Sequence, residues 1–177
     1  MKAFDFSTTK TVINEIDSHT KIAHICAQYH IRKPLVITDQ GIVKHGLYAK
    51  LESAFTLADQ HCYCFDRIVA DPADSLILSA VEFAKQHAID GVIGLGGGSS
   101  MDSAKLVALL ASSSERLDEI YGVDKVKGKR LPLILIPTTA GTGSEVTPIA
   151  IVTTGQTTKA GIVSTQLLPD VAILDAS

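Results

Sequence analysis

Gly94-Leu95-Gly96-Gly97-Gly98-Ser99-Ser100-Met101-Asp102-Ser103-Ala104-Lys105 joins an apolar run to a helical one through a turn with almost no side chains. Gly91 to Leu95 reads as a buried strand, and Met101 to Leu110 carries apolar residues at helical spacing, at Met101, Ala104, Val107 and Ala108. Gly96, Gly97 and Gly98 therefore fall where a helix begins. There the first backbone N–H groups lack intrahelical partners, the helix dipole favours negative charge, and missing Cβ atoms let a pyrophosphate approach the backbone. Ser99 and Ser100 add hydroxyl donors or cap the helix. Because Ser99 stands where the last glycine of a GxGxxG pattern would fall, the turn is a phosphate cradle by its strand-turn-helix context rather than by that pattern. A tight βα turn without a ligand is the plain alternative.

On both sides of this stretch, helical and β-rich runs alternate. Helices are predicted over Ser18 to Tyr29, Leu47 to Leu57 and Ser75 to His87, with strands at Leu35 to Thr38, Cys62 to Phe65 and Leu133 to Ile136. The order implies an α/β fold, a Rossmann-like parallel sheet flanked by helices. An all-helical domain fails on the β-rich runs bounded by Pro, Gly or Asp. After Pro137 the texture changes to a loop rich in hydroxyls and glycine, then to two runs, Pro148 to Thr153 and Lys159 to Val163, that predict an antiparallel hairpin around Gly155. Val171 to Leu174 predicts one more strand. Ser112-Ser113-Ser114 is a connection between helices.

The chain has 177 residues, 46% of them hydrophobic, enough to bury the core of one domain. A net charge of −3, with Lys and Arg scattered, provides no basic face for nucleic acid. Its apolar runs are too short to span a bilayer, and Met1 to Asp5 shows no signal-peptide core, so a cytoplasmic location and no membrane partner are expected. The three cysteines, Cys26, Cys62 and Cys64, read as buried free thiols, since no second pair stands at zinc-ligand spacing to make Cys62 and Cys64 a metal site. The six histidines are dispersed and read as surface or helix-end residues.

Asp39 ends the Leu35 to Thr38 strand, where a carboxylate can accept hydrogen bonds from a ribose and would repel the 2′-phosphate of NADP. In the ordinary dinucleotide fold the acidic residue follows the glycine turn by about 20 residues, whereas Asp39 precedes it. A helix cap or turn residue ahead of Gly41 is the other reading. Asp102, in the first turn of the helix, either reaches a neutral part of a ligand or caps the helix. Lys105 is read as a plain helix residue. Thr138, Thr139, Thr142 and Ser144 offer uncharged hydroxyls at another strand end, suited to the base and sugars of a nucleotide or simply to a polar loop. Lys159 either donates to ribose or phosphate oxygens or is solvated. Nothing resembles a catalytic triad, a paired-carboxylate centre or a metal cluster.

Three segments in order, Gly96 to Lys105, Pro137 to Thr147 and Leu168 to Asp175, together closely resemble the iron-containing (group III) alcohol dehydrogenases, within a dehydroquinate synthase-like superfamily. The resemblance runs from about Pro34 to the end of the chain. It implies that residues 1–177 are the N-terminal dinucleotide-binding domain of an NAD-dependent enzyme that oxidises a small alcohol to an aldehyde or ketone, with a homo-oligomer among the expected assemblies. The family's Fe²⁺ (or Zn²⁺) ligands, one aspartate and three histidines, would lie in a C-terminal helical domain absent from this sequence, leaving the chain inactive alone and with exposed apolar surface. By the same resemblance the pyrophosphate sits on Gly96, Gly97, Gly98 and Ser99, Asp39 takes the adenosine ribose, Asp102, Thr138, Thr139 and Thr142 line the cofactor, and Lys159 reaches the nicotinamide-side ribose. Asp71-Pro72-Ala73 departs from the Asn-Pro-Thr usual among relatives. A stand-alone nucleotide- or partner-binding module, and a dehydroquinate-synthase-like lyase, are the alternatives; the Ser-Ser-Met-Asp-Ser-Ala-Lys continuation argues against the lyase.

Overall fold

A central parallel sheet has inner strands whose side chains are buried on both sides. The computed structural model describes residues 6–154 and 158–177, and among these the sheet has six strands in the order β1-β9-β6-β4-β2-β3. They are β1 (Thr11–Asn14), β2 (Pro34–Asp39), β3 (Tyr63–Ile68), β4 (Gly91–Gly96), β6 (Leu133–Pro137) and β9 (Val171–Leu174). Every residue of β4 is buried, as are the first five of β2 and the first four of β6. That pattern belongs to a sheet covered on both faces. Successive side chains point to opposite faces, and the two cores separate accordingly. Leu35, Ile37, Val92, Leu133 and Leu135 pack with helices α4 (Asp74–Gln86) and α5 (Gly98–Ser112), while Val36, Ile93, Ile134, Val171 and Ile173 pack with α1 (Ile22–Gln28) and α3 (Leu47–Leu57).

A second, smaller sheet of order β5-β8-β7 lies against α5, formed by β5 (Gly122–Val123), β7 (Ile149–Thr154) and β8 (Thr158–Val163). β7 and β8 pair antiparallel from Ile149↔Val163 to Thr154↔Thr158. The expected hairpin is present; the turn read at Gly155 lies outside the described residues.

Several boundaries differ from the sequence reading. The segment read as one helix from Ser18 divides into a 3₁₀ turn, Ser18–Lys21, and α1. Three strands or α-helices were not anticipated: β1, an edge strand whose residues are mostly exposed and so lack an apolar run, the two-residue strand β5, and the short helix α2 (Gln40–Lys44), which has no buried residue. Cys26 and Cys62 are buried free thiols, but Cys64 is only half-buried, at the edge strand β3. His19 is not a plain surface residue: its Nδ1 lies 2.9 Å from Asp175 Oδ2, and the backbone N–H groups of Asp17 and His19 also donate to that carboxylate. Burial opposes the Asp175 charge, yet the donors from His19 outweigh it and hold the carboxyl below its usual range. No helix among the described residues is long and apolar enough to cross a membrane.

The element that positions the site is α5, which crosses β4 in contact with its backbone. At Gly94 an added Cβ would lie 2.7 Å from Leu135 Cδ2 and 2.8 Å from Ala104 Cβ, with Met101 Cα at 3.3 Å. Gly94 is a spacer that sets how near the helix comes to the sheet. Gly94→Ala is expected to destabilise the fold by about 1–3 kcal/mol through overpacking, measured as a lower urea midpoint with an unchanged m-value; an unshifted midpoint would show that α5 has slack.

Candidate functional site

The C-terminal ends of β2, β4 and β6 meet at one place. β4 ends at Gly96, which is in register with Pro137 at the end of β6, and the Thr138 N–H donates to the Gly96 carbonyl at 3.0 Å. Asp39 ends β2 beside them. Gly96 has φ +142°, and a Cβ there would stand 2.8 Å from Ser100 Oγ, so this position excludes a side chain on both backbone and steric grounds. Gly97 is extended and N-caps α5, with no side chain satisfying the first turn. The helix thus begins at Gly98, earlier than the Met101 expected from apolar spacing, because three residues without apolar side chains form its first turn.

Two clefts flank this turn and share Gly98 and Ser99. One, of about 540 Å³, is bordered by Asp39, Gly97, Ser100, Thr138 and Thr139. The other, of about 360 Å³, is bordered by Asp71, Asp102, Thr142, Ser144, Ile151 and Lys159. All the predicted site residues except the buried Gly96 border one cleft or the other. Added Cβ atoms would contact Thr139 Oγ1 from Gly97, at 3.5 Å, and Thr142 Cγ2 from Gly98, at 3.4 Å, filling the space between turn and loop. Uncapped backbone donors, a helix N-terminus and open space above two glycines suit a pyrophosphate.

The carboxylates around the turn already have partners. Asp39 Oδ1 accepts from the Ile42 N–H at 3.0 Å, capping α2, and Oδ2 lies 3.4 Å from Ser100 Oγ; the cap and the cleft-lining position coincide in one residue. Asp102 does not cap its helix. Its Oδ1 accepts from Ser144 Oγ at 2.5 Å and its Oδ2 from the Ile151 N–H at 3.0 Å, which ties α5 to the loop after β6 and to β7. Lys159, on β8, is paired with Asp71 Oδ1 at 2.7 Å.

Lys105 is the residue that the sequence reading missed. It is fully buried, and its ammonium donates to the carbonyls of Thr147 at 2.9 Å and Ile149 at 2.6 Å, with Asp102 Oδ1 at 3.7 Å. A lysine one helical turn after Asp102, within an otherwise apolar or small-residue face, was the available signal. Burial lowers its pKa from 10.5 to about 8, partly opposed by the Asp102 charge.

The described elements form a doubly wound α/β fold with a glycine-turn cleft at the carboxyl ends of its strands, the place where such folds bind ligands. A family model for iron-containing alcohol dehydrogenases matches residues 9–176, and this chain belongs to that family of oxidoreductases. It is 33% identical over 175 residues to a sulfoacetaldehyde reductase of Bilophila wadsworthia, an alignment covering 98% of this chain and 45% of the relative. It is 42% identical over 145 residues to long-chain-alcohol dehydrogenase 1 of Geobacillus thermodenitrificans, covering 80% and 36%. A crystal structure of sulfoacetaldehyde reductase from Bifidobacterium kashiwanohense in complex with NAD⁺ superposes with a TM-score of 0.88 at 27% identity, covering 99% of this chain and 46% of that one. The chain therefore spans less than half the length of these relatives. The described residues contain no group of three or more His, Cys, Asp or Glu able to hold a metal ion.

Replacing Lys105 with methionine removes the cation from Asp102 and leaves two buried carbonyls without their donor; a loss of about 3 kcal/mol or more is expected. The folded protein holds the Lys105 proton less tightly than the unfolded chain, so its contribution to stability rises as pH increases from about 8 to 10.5. In urea unfolding of wild type and K105M, the wild-type advantage should be larger near pH 10 than near pH 7; a constant advantage would refute the burial effect.

Proposed function

We propose that this chain binds NAD(H) across the glycine turn as the cofactor half of an iron-type alcohol dehydrogenase acting on a primary or secondary alcohol. The observation that carries the reading is the uncapped α5 N-terminus at Gly97 and Gly98, with a cleft on either side. The pyrophosphate lies over Gly96, Gly97, Gly98 and Ser99, where backbone N–H groups donate to its oxygens. The adenosine half occupies the cleft beside Asp39, Thr138 and Thr139, with the Asp39 carboxylate accepting from the ribose hydroxyls. The nicotinamide half occupies the cleft between Thr142 and Lys159, where Lys159 donates to its ribose.

In this reading Asp102 and Ser144 act through each other. Their hydrogen bond and the Ile151 N–H hold β7 and the loop after β6 as a wall, against which the nicotinamide ring is oriented and from which water is excluded by Ile149 and Ile151. When bound, the nicotinamide supplies the hydride acceptor or donor at C4. A metal ion, Fe²⁺ or Zn²⁺, would polarise the alcohol oxygen, and no group able to hold it lies among the described residues. A net charge of −3 without a basic face supports the absence of a nucleic-acid partner.

Titrating the chain with NADH should give a saturable rise in nicotinamide fluorescence, and a linear, non-saturating signal would sink the proposal. Asp39→Asn keeps a residue able to cap α2 but removes the charge that a 2′-phosphate would meet. It is expected to raise affinity for NADPH relative to NADH by about tenfold, roughly 1.4 kcal/mol, read by the same titration.

A further inference from the structure

Asp71 lies in the connection between β3 and α4, on the rim of the smaller cleft. Two hydrogen bonds and the β-bridge that one of them forms fix that rim. The Asp71 N–H donates to Ser99 Oγ at 3.2 Å, the Pro72 carbonyl accepts from the Thr153 N–H at 3.1 Å, and Ala73 bridges to Thr153. Its backbone is left-handed, φ +50°, a conformation that Asp and Asn accept more readily than other residues with a Cβ. The carboxylate is therefore held beside the glycine turn by its own backbone.

Lys159 stands opposite Thr153 in the β7–β8 register, so the strand that anchors the rim also presents the ammonium to it. The resulting ion pair spans the mouth of the cleft at 2.7 Å with both side chains more than half exposed. Asp102, the other charged residue bordering this cleft, is engaged by Ser144, Ile151 and Lys105. Among the described residues, Lys159 is thus the cation through which this cleft can meet an anion, and Asp71 neutralises it.

Resting on the cofactor reading above, we propose that Asp71 sets the affinity and redox preference of the nicotinamide half by holding Lys159 across the cleft. A dinucleotide must draw Lys159 away from Asp71 and bring its phosphates near a second negative charge. Asp71 also leaves the cleft mouth close to neutral. Without it, Lys159 gives that mouth a net positive charge, which disfavours the cationic ring of NAD⁺ relative to the neutral ring of NADH. Asp71 is accordingly a determinant of which oxidation state the protein holds, as well as a brake on binding.

The test is a double-mutant cycle on this chain with Asp71→Asn, Lys159→Met and both together, titrated with NADH by fluorescence and with NAD⁺ by calorimetry. Asn retains the backbone preference, so D71N leaves the rim in place. An exposed pair of this kind corresponds to about a threefold to fivefold change. D71N is expected to tighten NADH by that factor, to improve NAD⁺ less, and to lose its gain at high salt or in the K159M background. Equal NADH affinity in wild type and D71N, or a gain that persists in K159M, would overturn the assignment and leave the cofactor reading intact. Absence of NADH binding by the wild-type chain would remove both.

Discussion

With no side chain at Gly94, the backbone of α5 settles onto β4 until Ala104 and Met101 fill the space that a Cβ would occupy. That contact fixes more than core density. It brings the first turn of α5 to the ends of β2 and β6 and forces the strand to leave the sheet through Gly96, in a conformation that L side chains rarely adopt. The two clefts, the cap on α2 and the loop after β6 are all placed relative to this one approach. Interiors of this density transmit such shifts rather than absorb them.

Polar groups brace the same corner from the opposite side. A fully buried ammonium is tolerated because Lys105 has two carbonyls at the start of β7 and a nearby carboxylate on its own helix to satisfy it. The smaller sheet is thereby held to α5 by directed bonds as well as by apolar packing. Around the turn the three aspartates divide the work by position. Asp39 caps a helix from the end of a strand, Asp102 joins a helix to a strand, and Asp71 pairs with a lysine at the mouth of a cleft.

The parallel sheet was legible because its strands are nearly continuous apolar runs separated by helical spacing, a signal that depends only on burial. β1 was illegible for the complementary reason: at the sheet edge it buries little, and its partner β9 is distant in sequence. The glycine turn was readable from local conformation. Residues around it were readable as cleft-lining, since strand ends collect ligand-facing groups, but their partners were not. Which oxygen of Asp102 meets Ser144, and which carbonyls Lys105 meets, depend on long-range packing that no spacing encodes. Asp39 shows the limit from another side, because capping and ribose recognition favour the same residue type at the same place.

Among the described residues β1 pairs in parallel with β9 alone, so two strands far apart in sequence meet at one edge of the sheet. Lys10 and Arg130 converge on Asp170 there, and the Thr11 N–H donates to the Asp170 carbonyl. The residues of β9 follow β2, β3 and β4 in the chain, so β1 must wait for its partner while those strands can assemble earlier. Pairings this remote are slow to form because loop closure precedes their reward. The β1–β9 seam then forms after the pairings among β2, β3 and β4, and a chain interrupted before β9 would leave β1 as an unpaired strand able to join a neighbouring molecule.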